Sequence, residues 1–288
     1  MTQKHLNAGL KLLCIAIPVY IIGAMLYVDK RPIDSRHVLT RRWNPPITCD
    51  VPSGILYGIF TTAGKVAQRQ VFRELMVPHS NVTVKFVIGT PGSDEDFLRM
   101  SLEQATFGDI MVLDCVENMN EGKTYTYFKT VSPCFSNYIK ADDDTAVNLE
   151  RLYAFLNRLD SSKPKCIGRM IQQPFGWLRN WFANVNWYYT VQQLPAGMLY
   201  CLNGAAVQKL SETDFSLNDI SGDEDRRTAY MMQGLGVEFV DVGTLFHDHP
   251  AYNPLFIENW HMDISNLSVA VHQCKTIPML YDAFDKLL

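Results

Sequence analysis

Three short apolar runs, Ile55–Phe60 (ILYGIF), Val82–Ile88 (VTVKFVI) and Ile110–Leu113 (IMVL), recur between stretches of helical character, and this alternation most narrows the fold. Each run ends in turn chemistry. Thr61-Thr-Ala-Gly64 follows the first, and a predicted helix with Arg69 and Arg73 on one face comes next. Gly89, Pro91 and Gly92 close the second run, and Asp94–Ala105 predicts another helix. Lys123–Tyr138 predicts a helix broken near Pro133. Strands alternating with helices argue for a single Rossmann-like α/β/α sandwich with a mostly parallel sheet. Such sheets gather ligands beyond the carboxyl ends of their strands, so the residues after Phe60 and Leu113 come under scrutiny.

The most acidic of these strand ends is YIKADDDTAVN, Tyr138–Asn148. Asp142, Asp143 and Asp144 repel one another, so folding alone gives no reason to assemble them. In an extended strand Asp142 and Asp144 project to one side, roughly 7 Å apart, spaced to share a divalent cation and its ligand. A solvated acidic turn capping a helix near Asn148 explains DDD equally well. Two metal-loop frames fail: a D-x-D-x-[TV] phosphatase motif meets Ala146, and an EF-hand loop needs glycine where Val147 stands.

Further on, Gln172–Gln193 is rich in Trp, Tyr and Phe, suited to sugar rings or to a packed loop. Pro195–Leu202 reads as a turn and a buried strand. Gly222-Asp-Glu-Asp225 precedes a helix that ends near Gly234 and Gly236, a position where acidic residues also serve as ordinary caps. His272 ends the apolar stretch Leu267–Val271, and His249 follows Val240–Phe246.

The N-terminus carries a different signal. Leu12–Val28 is uncharged for 17 residues, about 25 Å as a helix at about 1.5 Å per residue. This suits a thin early-secretory bilayer and exceeds a usual signal-peptide core. We expect residues 1–11 as a cytoplasmic tail, 12–28 as a transmembrane anchor, 29–50 as a stem and 51–288 as a lumenal domain. The basic residues Lys30, Arg31, Arg36, Arg41 and Arg42 after the span run against the positive-inside pattern. Two sequons, Asn81-Val-Thr83 and Asn266-Leu-Ser268, and six cysteines after the span favour a lumenal body. A net charge of −4 argues against nucleic acid as a partner.

ILYGIFTTAGKVAQRQVFRELM, VTVKFVIG, Phe107-Gly-Asp-Ile110 with ENMNEGKTYTYFKT, YIKADDDTAVN, GDED and VHQCK occur in an order that resembles the β-1,3-galactosyltransferase-like glycosyltransferases, with the flavour of fungal or other lower-eukaryote members. The resemblance runs from about Ile55 to the C-terminus. It implies a GT-A fold in a type II Golgi enzyme that uses a UDP-sugar, a glycan acceptor on protein or lipid, and Mn²⁺. It implies Asp142 by the ribose or metal with Asp143 beside it, and Asp144 and His272 as metal ligands. It further implies Asp225 as catalytic base, Arg69 and Arg73 as first-helix arginines near the diphosphate, and Asp114 near the nucleotide. Arginine forks suit phosphate oxygens, and carboxylates with one imidazole suit Mn²⁺. His249 is the alternative imidazole.

One motif departs. The family places a valine and then a glycine after the acidic pair, where this chain has Arg226, Arg227, Thr228 and Ala229. Two arginines beside the base bear on its pKa and on the acceptor pocket. The alternative to an active transferase is a non-catalytic lumenal module that binds a glycan or partner on the same fold.

Overall fold

Apolar runs of six or seven residues form strands here, the first buried throughout and the second over its last three residues. The computed structural model describes residues 54–131, 134–172, 193–251 and 264–288. β1 (Ile55–Phe60) and β2 (Val82–Ile88) have the bounds that their apolar runs predict. The third run is shorter, β3 (Ile110–Val112), and β4 spans Asn137–Asp142. The predicted Lys123–Tyr138 helix ends early, at Thr130. Expectations for Leu12–Val28, the stem, Pro133 and the aromatic stretch 173–192 lie outside the described residues. Among the described residues no helix is long and apolar enough to cross a membrane.

The remaining strands are β5 (Ala146–Val147), β6 (Lys165–Gln172), β7 (Gln193–Asn203), β8 (Glu238–Asp241), β9 (Phe246–Asp248) and β10 (Ala270–His272). Seven of them make one sheet in the order β3-β2-β1-β4-β7-β6-β8. The β3, β2, β1 and β4 ladders are parallel, and only β7 runs against its neighbours. The mostly parallel sheet is therefore mixed. A second sheet, β5-β10-β9, has three short strands.

The helices are α1 (Val66–Leu75), α2 (Asp94–Phe107), α3 (Lys123–Thr130), α4 (Leu149–Leu156), α5 (Gly204–Ser211), α6 (Leu217–Ile220), α7 (Glu224–Gly234) and α8 (Ile277–Leu287). Strand parity sorts the core into two layers. Tyr57, Ile59, Ile139 and Ala141 point to the face covered by α1, α4 and α8. Leu56, Phe60, Val87 and Tyr138 point to the face covered by α3, α5 and α7. The result is an α/β/α sandwich.

Local chemistry sets the helix ends. Ser93 caps α2 by accepting from the Asp96 amide, and three acidic residues fill its first turn against the helix dipole. Asn148 caps α4 by accepting from the Arg151 amide. Gly108 ends α2 at φ 68°, a left-handed position that a side chain strains.

Candidate active site

The chain turns immediately after β4. Asp142 is the last strand residue, opposite Phe60 of β1, and the Thr145 amide donates to the Asp142 carbonyl at 3.2 Å. Asp142 and Asp144 thus lie across a turn and not along an extended strand as the spacing predicts. The Cys274 amide donates to the Asp144 carbonyl at 3.0 Å, which ties the end of β10 to this turn. His272, the last residue of β10, arrives beside it. Asp142, Asp144 and His272 each offer one ligand atom, and these lie within 4.8 Å of one another.

This donor set fits a divalent cation. Asp144 Oδ1 is buried, accepts no hydrogen bond and sits 3.3 Å from His272 Nε2. Lys275 Nζ donates to the other Asp144 oxygen at 2.5 Å. Burial works to raise the Asp144 pKa, but His272 and Lys275 hold it well below the usual carboxylate range. Burial likewise disfavours charge on His272, yet Asp144 and Asp248 outweigh it and lift the imidazole to about 9. Two carboxylates and one imidazole are a mixed oxygen and nitrogen set of the kind first-row divalent metals accept.

Beside the turn is a cavity of about 250 Å³ lined by Phe60–Thr62, Asp142–Asp144 and cationic side chains. Lys65 Nζ pairs with Asp143 at 2.7 Å, so Asp143 faces this space from a largely buried position. Lys123 is buried, donating to the Thr61 carbonyl at 2.8 Å and to Glu117 at 2.5 Å. Glu117 in turn accepts from the Gly89 amide.

Two sequence expectations are corrected at this cavity. Arg69 is fully buried, its fork bidentate on Glu103 at 2.7 Å and its remaining donors on the Thr62 and Ala63 carbonyls. Arg73 is bidentate on Asp109 at 2.8 Å and reaches Glu103 at 2.7 Å. Neither guanidinium is placed to take a diphosphate, because Glu103 and Asp109 already use their forks. The cations that line the cavity are Lys65, Lys123 and Lys275. Asp114 is exposed outside the lining, and the acidic residue after β3 that enters it is Glu117.

Asp225 opens helix α7 against β7. Its Oδ2 accepts from the Gly197 amide at 3.0 Å. Lys140, on β4, links it to the acidic turn: its buried ammonium reaches Asp142 Oδ1 at 2.8 Å, the Gly197 carbonyl at 2.5 Å and Glu224 Oε2 at 3.4 Å. The Tyr200 hydroxyl donates to Glu224 Oε1 at 2.7 Å. Burial penalises the Lys140 charge, but Asp142, Glu224 and Asp225 raise its pKa above the ordinary lysine value. Burial would raise Glu224, yet Lys140 and its hydrogen bonds keep it low. Burial and the adjacent Glu224 charge push Asp225 far above the carboxylate range. Arg226 lies 3.9 Å from Asp223, and the groups that shift Asp225 are Glu224, Lys140 and Asp142.

Sequence reasoning missed Lys140, although strand parity marks it. It is the one cation in β4 and shares the face of Asp142, two residues on. Glu117, Lys123 and Lys275 sit in loops or at helix starts, where no periodicity singles them out. His249, the alternative imidazole, lies 2.9 Å from Asp282 and outside the Asp142–Asp144–His272 group.

The family model described as Galactosyltransferase matches residues 67–242. The β-1,3-galactosyltransferase pvg3 of Schizosaccharomyces pombe is 32% identical over 88 residues, covering 28% of this chain and 23% of that protein. The hydroxyproline O-galactosyltransferase GALT5 of Arabidopsis thaliana is 28% identical over 149 residues, 47% of this chain and 22% of that protein. The matched stretches thus span about a quarter of these relatives. Among solved structures, the apo form of the bifunctional glycosyltransferase WbbM superposes with a TM-score of 0.50 at 10% identity, covering 85% of this chain and 51% of that one. That likeness is one of fold: the mixed α/β sheet is a GT-A-like glycosyltransferase fold. The family match takes in more than half of the 288 residues, and the chain belongs to the galactosyltransferase family.

Proposed function

We propose that this chain is an inverting glycosyltransferase that moves a hexose, galactose or an N-acetylhexosamine, from a UDP-sugar to a glycan acceptor on protein or lipid, forming a β-1,3 linkage. One observation carries the reading. Asp142, Asp144 and His272 converge beside a cationic cavity, and Lys140 joins Asp142 to Glu224 and to the Gly197 carbonyl, next to Asp225.

In this reading Asp142, Asp144 and His272 hold a divalent cation, taken as Mn²⁺ from the donor set. When bound, the cation neutralises charge on the departing diphosphate. Lys65 and Lys275 stand at the cavity as cations for the same diphosphate. Asp225 accepts the proton of the acceptor hydroxyl as that oxygen bonds to the anomeric carbon and the bond to UDP breaks. Its raised pKa makes it a strong base once ionised. The Gly197 amide fixes the carboxylate, and Lys140 with Glu224 fixes its surroundings.

The test is a panel of UDP-sugars and glycan acceptors with the whole 288-residue chain, in Mn²⁺ or EDTA, beside Asp144→Ala and Asp225→Asn. Transfer from one donor that EDTA and both substitutions abolish is the expected result. UDP binding that ignores Mn²⁺ and Asp144→Ala would overturn it in favour of a non-catalytic module.

We further propose a single-pass type II Golgi membrane protein, anchored by Leu12–Val28 with the catalytic domain in the lumen. The uncharged run, the two sequons and a disulfide-bonded Cys134 support this reading. Cys115, Cys166, Cys201 and Cys274 are free thiols, so most of the described cysteines serve as small core or boundary residues and not as bridges. Carbonate extraction and protease protection of microsomes carrying the chain test the anchor and its orientation.

A further inference from the structure

We infer that Asp248 is a positioning residue for the metal centre, holding the His272 imidazole in the tautomer that presents Nε2 to the cation. The inference rests on the metal-dependent reading above. Parallel pairing of β9 with β10 sets His272 opposite Asp248, and His272 Nδ1 lies 3.1 Å from Asp248 Oδ1. The His249 amide donates to the His272 carbonyl at 2.7 Å, so the backbone beneath the ring is fixed as well. The other ring nitrogen, Nε2, faces Asp144.

A neutral imidazole has one proton and two nitrogens. With that proton on Nδ1, donated to Asp248, the Nε2 lone pair points at the Asp144 side of the cluster. With the proton on Nε2, His272 would offer a hydrogen where a ligand atom is needed. Both nitrogens face a carboxylate, but with Asp144 engaged by the cation the acceptor left for a ring proton is Asp248, on Nδ1. Metal-binding histidines are commonly oriented through their second nitrogen in this manner. The adjacent His249–Asp282 pair, 2.9 Å apart, has the same residue types but no place in the cluster, and so supplies an internal control.

The test follows Mn²⁺ binding to the whole chain in saturating UDP, read from the electron paramagnetic resonance signal of the free ion. We expect Asp248→Ala to weaken Mn²⁺ by about 10–100-fold. Asp248→Asn, which keeps an acceptor oxygen and the same shape, should lose about tenfold or less. Asp282→Ala should bind as the unaltered chain does. At a pH above about 9, where the metal-free ring is neutral, nitrogen-15 shifts of His272 should show the proton on Nδ1 in the unaltered chain and an Nε2–H fraction in Asp248→Asn, a readout that loss of packing alone does not move. Thermal melts identify any variant that fails to fold, and if Asp248→Ala fails, the isosteric Asp248→Asn decides. Unchanged Mn²⁺ affinity and tautomer in a folded Asp248 variant would overturn the inference while leaving the metal-dependent reading intact. Absence of Mn²⁺ binding by the unaltered chain would overturn both.

Discussion

Gly197 and Asp225 meet with no room between them: the Gly197 amide donates to Asp225 Oδ2 at 3.0 Å, and a Cβ on Gly197 would lie 3.0 Å from Asp225 Cγ and closer still to Oδ1. Glycine is required here by the approach of the Asp225 carboxylate, since this position does not carry the left-handed φ of the turn glycines. Gly197→Ala should push the carboxylate aside. A displacement of about 1 Å costs on the order of 100-fold in turnover. In the proposed reading UDP and the cation are held at the other end of the Lys140 bridge, so their affinity should stay close to that of the unaltered chain. Steady-state kinetics with calorimetric UDP titrations check this, and equal losses in turnover and UDP affinity would contradict it.

The same bridge makes a stability prediction. Lys140→Met leaves Asp142 and Glu224 without their shared cation, and breaking a buried pair costs about 3–5 kcal/mol. Glu224→Gln alone strands the ammonium less severely, because Asp142 and the Gly197 carbonyl still hold it. The double variant removes both charges and should be more stable than the sum of the single losses by about 0.5–3 kcal/mol. Urea unfolding of the four proteins measures that coupling, and strict additivity would show that Lys140 and Glu224 do not act together.

Much of this architecture was legible because short apolar runs and turn residues act locally. Ile55–Phe60 and Val82–Ile88 are apolar runs bounded by small or turn residues, and their strand limits follow from that alone. The Asp142, Asp144 and His272 cluster was legible in content, since strand-end acids and a strand-end histidine were evident. Its geometry was not, because the turn at residues 143–144 is set by a backbone bond from Cys274, far along the chain. The arginines misled for the same reason. Spacing put Arg69 and Arg73 on one helix face, but it could not show that Glu103 of α2 lies against that face. Asp248 gave no pattern of its own, since its meaning comes from the pairing of β9 with β10.

The buried Glu103 predicts an indirect effect on the donor. It holds Arg69, whose other donors hold the Thr62 and Ala63 carbonyls at the turn beside the cavity. Glu103→Gln removes the charge shared by two arginines and should cost about 3–5 kcal/mol. It should also weaken UDP, although Glu103 itself does not line the cavity. Denaturant melts with UDP titrations test both parts. A large stability loss with UDP affinity unchanged would confine Arg69 and Glu103 to the core.

In the metal-dependent reading, His272 ties stability to metal binding through one proton. Burial opposes its charge, but Asp144 and Asp248 raise its pKa in the folded chain from 6.5 to about 9. A group raised in this way stabilises the metal-free fold fully below pH 6.5, and that contribution fades as pH climbs through about 9. A cation needs the neutral imidazole, so it competes with the same proton. In EDTA the melting temperature should therefore fall across this window, while Mn²⁺ affinity rises by up to about tenfold per pH unit and then levels. His272→Gln should flatten both curves, because it leaves no titrating ring at the centre. Thermal melts in EDTA and Mn²⁺ titrations over the same pH series make the comparison. Mn²⁺ affinity that stays flat from pH 6.5 to 9 would remove His272 from the ligand set.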